Sequence, residues 1–341
     1  MTENINDIIK KLKKTTDTHY FESLSDELRG NKEVVLVAVL ENGNSLEFAS
    51  EEMKNDKHIV FAAVNQTGYA LEFVSDEFKN DKNLVKLAIQ STWKALEYAS
   101  EEIKDDKEFI MYAISLEECS LRYASDEIKD NEEIVSSTIL KNGTILEHIS
   151  TRLQNTKKIV ILATSNDGLS LDYASDELKN DLDVVLNAVS QNGSALEYAS
   201  DELKDNEEVV LTAIKNVGSA LRSASKNIQG NYRVISEAIK KSGYALEYVS
   251  DEYKSNREFI KEAISHYPWS LKFASEDLKN DKEILTLFKS YYDGKDIENT
   301  LLLTVKNFYY ECLEKLKLLE ELEWMDNNVP SNNIKFKPKK F

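Results

Sequence analysis

Serine recurs on an arithmetic ladder: Ser25, Ser50, Ser75, Ser100, Ser125, Ser150, Ser175, Ser200, Ser225, Ser250 and Ser275. In most copies two carboxylates follow at once, as in Glu51–Glu52, Asp76–Glu77, Asp126–Glu127 and Asp201–Glu202. A hydroxyl beside a base is the material of nucleophilic catalysis, and grouped carboxylates are the material of a cation site. Neither chemistry fits this pattern. A nucleophile needs one activated copy with a base in reach, yet His19, His58, His148 and His266 are scattered and share no metal-ligand spacing. The acid pairs lack the alternating oxygen ligands of a cation loop. Cys119 and Cys312 make no zinc set, and neither a glycine-rich phosphate loop nor a nucleophile elbow is present. His148 stands where other copies carry Tyr or Phe, which suits packing. The residues therefore predict no enzyme: no catalytic residue, no metal and no cofactor. The serines read as helix N-caps, accepting from an unpaired amide, with the carboxylates in the following turn.

The elements that would hold them recur in step with the serines. Leu46, Leu71, Leu96, Leu121, Leu146, Leu171, Leu196, Leu221, Leu246 and Leu271 form a second ladder with the same spacing. A fixed period of this size is the mark of stacked repeats, each burying its apolar side against its neighbours. The second half of each copy reads as a helix. Val209, Val210, Ala213 and Ile214 share one face, as do Val34, Val35, Ala38 and Val39, while Thr138 and Phe288 depart from the pattern. Good N-cap residues precede this helix, Asn31, Asp56, Asp81, Asp106 and Asn206 among them. Gly43, Gly68, Gly143, Gly168, Gly193, Gly218 and Gly243 follow it, where a left-handed C-terminal residue is expected. Trp93, Glu118 and Pro268 take that place in other copies, so those turns are expected to differ in shape. The first half reads as a short turn ending at the Ser, then a second short helix. The expected fold is all-α: an α-solenoid of about eleven 25-residue repeats with capping helices at both ends.

The run Leu-x-Tyr/Phe-Ala-Ser-Asp/Glu-Glu-Leu/Ile-Lys, followed by Val-Val-x-x-Ala-Val/Ile, closely resembles the repeats grouped as domain of unknown function 4116. Leu171–Asp181 with Val184–Val189, and Leu196–Asn206 with Val209–Ile214, match best, and the resemblance covers about residues 21–290. It implies an α-helical repeat fold and no activity, since the family is defined by its repeat and carries no catalytic motif. Two copies depart from its pattern, with Thr151–Arg152 and Lys226–Asn227 in place of the acid pair. They mark either irregular curvature or a binding spot.

Four segments follow from the pattern: an N-terminal cap helix over 1–20, repeats over 21–294, a C-terminal helix over 295–326 and a basic tail over 327–341. Ile5, Ile8, Ile9 and Leu12 give the first its apolar face. In 297–325 the apolar stripe of Leu301, Leu302, Val305, Phe308, Tyr309, Cys312, Leu316, Leu319 and Leu322 suits a cap or a homodimer helix. Lys335, Lys337, Lys339 and Lys340 make a solvated tail or a contact to an acidic partner or RNA. The formal charge is −18, and because 295–341 is balanced, all of it falls on the repeats and their N-terminal cap. Such a surface repels phosphate and disfavours direct nucleic-acid binding, while a basic partner would be attracted. Two distant cysteines, no secretory h-region and no apolar run of membrane length predict a cytoplasmic protein, delivery into a host cell being beyond what sequence reads.

What varies between copies points to binding. Opposite the core face of the long helix stand Leu36–Val37, Phe61–Ala62, Lys86–Leu87, Met111–Tyr112, Ile161–Leu162, Leu186–Asn187 and Leu211–Thr212, turning polar at Ser236–Glu237. This row is either a helix buried on more than one side or a partner groove. Phe61, Trp93, Met111, Tyr112, Ile161 and Trp269 are the candidate partner-binding residues, the two tryptophans as aromatic anchors. The expected function is a non-enzymatic protein-binding scaffold that presents an extended acidic surface. The alternative is an acidic inhibitor that mimics nucleic acid and occupies a basic channel.

Overall fold

Within a computed structural model that describes residues 4–291 and 303–328, a three-piece unit returns in register with the serine ladder. A long α-helix is followed by a six-residue 3-10 helix and a four-residue α-helix. Lys32–Glu41, Gly43–Phe48 and Glu51–Lys54 are one set; Leu182–Gln191, Gly193–Tyr198 and Asp201–Lys204 are another. Among the described residues there is no strand, so the fold is an all-α tandem repeat. The short turn expected before each Ser is the 3-10 helix, whose i, i+3 bonding ends at an extended Ala–Ser step.

Local chemistry sets the boundaries. The Asn31 carboxamide oxygen accepts from the amides of Glu33 and Val34 at 3.1 and 3.2 Å, and Asp56, Asp81, Asn206 and Asn256 do the same for their own helices. Each long helix is too short to stand alone, so burial must hold it. Every Leu of the ladder from Leu46 to Leu271 is fully buried, and so are Val34, Val35, Val209 and Val210. Thr138, also buried, satisfies its hydroxyl by donating to the Ile134 carbonyl at 2.7 Å.

The glycines correct an expectation. They are not left-handed caps: the long helix ends in an extended residue, Asn42 at φ −150°, and Gly43, Gly68, Gly168, Gly193, Gly218 and Gly243 all lack a positive φ. What demands glycine is the neighbour. A Cβ on Gly43 would collide with the Ala63 carbonyl oxygen of the next long helix, and Gly68, Gly193 and Gly243 meet Ala88, Ala213 and Ala263 in the same way. A second correction follows. Trp93–Tyr98, Glu118–Tyr123 and Pro268–Phe273 are six-residue 3-10 helices like Gly43–Phe48 and Gly193–Tyr198. Without glycine the turn keeps its shape and the packing of the next helix changes.

The described residues of 1–166 and 173–175 form one compact unit, and those of 167–172 and 176–328 the other. In the first, Ile8 and Leu12 of the helix Ile5–Leu12 are buried and the helix packs on Lys32–Glu41, as an N-terminal cap should. In the second, the C-terminal helix is Leu303–Asn328, and 295–302 of the expected segment lie outside the described residues. Leu301, Leu302 and the lysines of 335–340 lie outside the described residues. Tyr309, Cys312 and Leu316 are buried, and Phe308 and Tyr309 set their rings against Phe288, each at 6.0 Å. That face caps the last repeat. No helix among the described residues is long and apolar enough to cross a membrane.

Candidate partner-binding surfaces

The ladder serine does more than cap its own helix. Its amide donates to a carbonyl of the preceding repeat, as from Ser100 to Lys79 and from Ser200 to Lys179, both at 2.9 Å. Its hydroxyl donates to the Asn or Asp that closes the preceding short helix: Ser75 to Asn55 at 2.8 Å, Ser100 to Asn80 at 2.6 Å, and Ser125 to Asp105. The same oxygen accepts from its own helix, from the amide of Ile103 at 3.2 Å and of Leu203 at 3.2 Å. Each of these serines is thus a clamp between repeats, a role sequence reading missed. The signal was present, because Asn or Asp recurs at 55, 80, 105, 130, 155, 180 and 205. Where Gly30 or Ser255 stands instead, Ser50 has no such acceptor and the Ser275 hydroxyl is buried without a partner.

The two departures from the acid pair belong to the same joint. Arg152 donates through Nε to Asp130 at 2.9 Å and through Nη2 to its carbonyl at 2.8 Å, and Asn227 donates to Asp205 at 3.1 Å. Hydrogen bonds from Ser150 and then Arg152 hold the Asp130 carboxyl below its ordinary range; those from Ser225 and Asn227 do so for Asp205. With Asn in the preceding repeat, Glu is found instead: Glu102 accepts from Asn80 at 2.5 Å and Glu202 from Asn180 at 3.2 Å.

The first member of the acid pair faces water. Glu51, Glu101, Asp251 and Glu276 have side chains 90%, 84%, 97% and 79% exposed. Each takes a Lys one helical turn on, Lys54, Lys104, Lys254 and Lys279, at 2.8–3.1 Å. Those lysines lay their stems along the repeat, being only 17–26% exposed. Ion pairs this exposed add little stability. Their consequence is electrostatic: one lysine answers two carboxylates, so each of these copies leaves an uncompensated negative charge at the same place.

Of the six candidates, Phe61, Trp93, Met111, Tyr112 and Ile161 belong to the first unit and Trp269 to the second. Phe61, Met111 and Ile161 hold equivalent positions on helices two repeats apart, and Phe61, Tyr112 and Ile161 are half-buried. Met111 is 51% exposed. Lys57 covers Phe61 at 5.7 Å and Lys86 covers Tyr112 at 5.2 Å, while Gln90 donates to the Tyr112 hydroxyl at 2.7 Å. The Trp269 ring lies 5.0 Å from Phe308 with Lys272 at 5.1 Å, so it joins the last repeats to the C-terminal helix.

Trp93 is different. At four glycine junctions a carboxamide oxygen takes the glycine amide, as Gln66 does for Gly43 at 2.7 Å, Asn166 for Gly143 at 2.8 Å and Asn216 for Gly193 at 3.1 Å. At this junction Trp93 replaces the glycine and Leu116 replaces the amide residue. The helices Lys82–Ser91 and Lys107–Leu116 pack more sparsely than Lys32–Glu41 and Lys57–Gln66 do. They stay pinned at their starts by Lys82 and Asp106. Between their far ends lies a cleft of about 480 Å³, lined by Tyr69, Thr92, Trp93, Lys94, Leu116 and Glu117. Of its walls only Trp93 was singled out from sequence; Tyr69 and Leu116, 38% and 45% exposed, were not. Trp93 also sets its ring 5.7 Å from Tyr123.

Half-buried rings recur on the 3-10 helices, Phe48, Phe73, Tyr98, Tyr123, His148 and Tyr173 in the first unit and Tyr198, Tyr248 and Phe273 in the second. Burial, then the Glu72 carboxylate, pushes the Tyr98 phenol up; burial and then Glu97 do so for Tyr123. Burial lowers the His148 imidazole, keeping it neutral as a packing residue would be. It also raises both thiols, Cys312 to about 12, so neither is a thiolate near neutrality. Among the described residues no three His, Cys, Asp or Glu side chains gather as metal ligands would.

Segments 7–54, 56–104, 106–154, 156–204, 206–254 and 256–288 match the family described as domain of unknown function (DUF4116). The chain belongs to that family. Each full match after the first starts at the N-cap of a long helix and ends with a short one, so it takes in two structural repeats. No curated protein and no solved structure matches the chain.

Proposed function

We propose that this chain is a non-enzymatic scaffold that holds a partner protein against an extended acidic surface. The observation that carries the reading is the exposed acid pair answered by a single lysine at the same place in separate repeats, as at Glu51–Glu52, Glu101–Glu102, Asp251–Glu252 and Glu276–Asp277. Negative charge recurring at a fixed place in a folded repeat attracts a basic partner and sets its register. The Trp93 cleft supplies what charge lacks, an aromatic wall in a concave place. Serine and thiol chemistry supports no rival, since hydroxyls such as those of Ser75 and Ser100 are engaged and the thiols stay protonated.

The test is to recover the endogenous partner by pull-down and mass spectrometry, then titrate its binding with salt. The scaffold reading expects affinity to fall as salt screens the surface, and to fall again in Glu51→Lys, Glu101→Lys and Asp251→Lys variants. Binding indifferent to both would sink it. Displacement by a polynucleotide would narrow the role to a nucleic-acid mimic. Concentration-dependent mass in solution would add a homodimer, for which Tyr310, Leu318 and Leu322 of the C-terminal helix are 46–53% exposed.

A further inference from the structure

The series of rings that recur on the 3-10 helices has one missing member, at Ser223. A cavity of about 340 Å³ opens there, walled by Ser194, Ser219, Arg222, Ser223, Tyr244 and Tyr248. The repeats show where the absent ring would lie. The Phe273 ring packs on Tyr244 at 5.3 Å. Two repeats back, the equivalents of that pair are Ser223 and Ser194, and both line the cavity. The carboxylates of Glu72 and Glu97 stand beside the phenols of Tyr98 and Tyr123 in the repeat that follows each. For Ser223 the equivalent carboxylate is Glu197, which holds the Arg222 guanidinium at 3.3 Å on the cavity wall. A carboxylate has lone pairs for a further donor.

We propose that this vacancy is a recognition pocket for a tyrosine side chain of the partner protein. The phenol would take the place of the missing ring, packed against Tyr248 and donating its hydroxyl to Glu197. The proposal deepens the scaffold reading and rests on it only for the source of the tyrosine. A volume of this size falls in the range of small-ligand sites. A second cavity of about 490 Å³ shares Arg222 and Tyr248 with it and is also lined by Lys226, Gln229 and Glu247. The Glu247 carboxylate stands beside the phenols of Tyr244 and Tyr248: its hydrogen bond pushes Tyr244 above its ordinary value, and burial, then this carboxylate, does so for Tyr248.

The test titrates N-acetyl-L-tyrosinamide into the full chain and follows the amide resonances of Ser194, Ser219 and Ser223 by NMR. Saturable shifts at these residues are expected, with the phenylalanine analogue about fivefold weaker for want of the hydroxyl bond. Ser223→Tyr fills the vacancy from within and is expected to weaken binding at least tenfold while raising Tm; Ser223→Ala is expected to bind as before. Glu197→Gln, whose neutral oxygen accepts more weakly, should shrink the preference for tyrosine over phenylalanine, a readout independent of whether Ser223→Tyr folds. No saturable shift up to about 10 mM, the weak end for so small a probe, would overturn the proposal. Unchanged binding by folded Ser223→Tyr, or an undiminished preference in Glu197→Gln, would overturn it too. No partner is needed in this experiment, so its failure is distinct from failure of the salt and charge-reversal test.

Discussion

The junctions at Gly43 and Trp93 share one backbone turn and differ in what the next long helix can reach. Both are six-residue 3-10 helices, and both are pinned at the helix starts by a lysine and an aspartate, Lys32–Asp56 and Lys82–Asp106. At Gly43 the absent Cβ lets the Ala63 carbonyl close in, and the Gln66 carboxamide completes the joint. At Trp93 an indole replaces the glycine, Leu116 offers no amide, and both line a cleft. Two side chains thus turn a sealed joint into a concave surface without altering the turn itself.

The core beneath should not register the difference. Leu46→Ala and Leu96→Ala, under the closed and the open joint, are each expected to cost about 2–5 kcal/mol in urea unfolding. A much smaller cost at Leu96 would mean that the opening reaches the core and that the joints differ more deeply. Next in size is the conversion of one joint into the other. Gly43→Trp with Gln66→Leu should destabilise by about 1–3 kcal/mol through crowding, plus about 1 kcal/mol for the lost hydrogen bond. A neutral result would show that glycine is dispensable there.

The serine clamp gives a finer contrast. Ser100→Ala loses the bond to Asn80, whereas Ser50→Ala has no such bond to lose opposite Gly30. The first should cost about 1 kcal/mol more than the second in the same assay. Equal costs would show that the clamp adds nothing to the cap. Smallest is the pin at the helix starts. The Lys32 hydrogen bond, ahead of the helix amides, keeps the Asp56 carboxyl below its ordinary value. A depressed carboxylate stabilises above its unfolded pKa, and that contribution is lost as pH falls through the folded value. Lys32→Met should therefore lower stability at neutral pH by at most about 1 kcal/mol and flatten the decline below about pH 4. An unchanged acid limb would show that the pair contributes nothing.

Much of this architecture is legible in the chain because period and burial coincide. The leucine ladder, the four-residue core face of each long helix and the Asn or Asp caps were all readable. The glycines were misread because a small residue after a helix has two explanations, a left-handed cap and a close approach, and only the neighbour's position separates them. The serine's reach into the preceding repeat was hidden for the same reason, since an N-cap preference is local and the Asn55 acceptor of Ser75 belongs to another repeat. Of the candidate anchors, Trp93 borders a cleft, while Trp269 is covered by a helix whose sequence lacks the period that would have placed it. The Ser223 vacancy was legible only as an exception to a series whose meaning needed coordinates.

The serine joint carries an evolutionary corollary. Most copies end with an acceptor carbonyl and an Asn or Asp, and begin their next short helix with the donor that fits them. A duplicated block one full period long therefore arrives with both halves of the coupling, whereas gain or loss of a single residue breaks two couplings at once. Lineages of such a protein should change length in whole blocks and tolerate indels poorly within them.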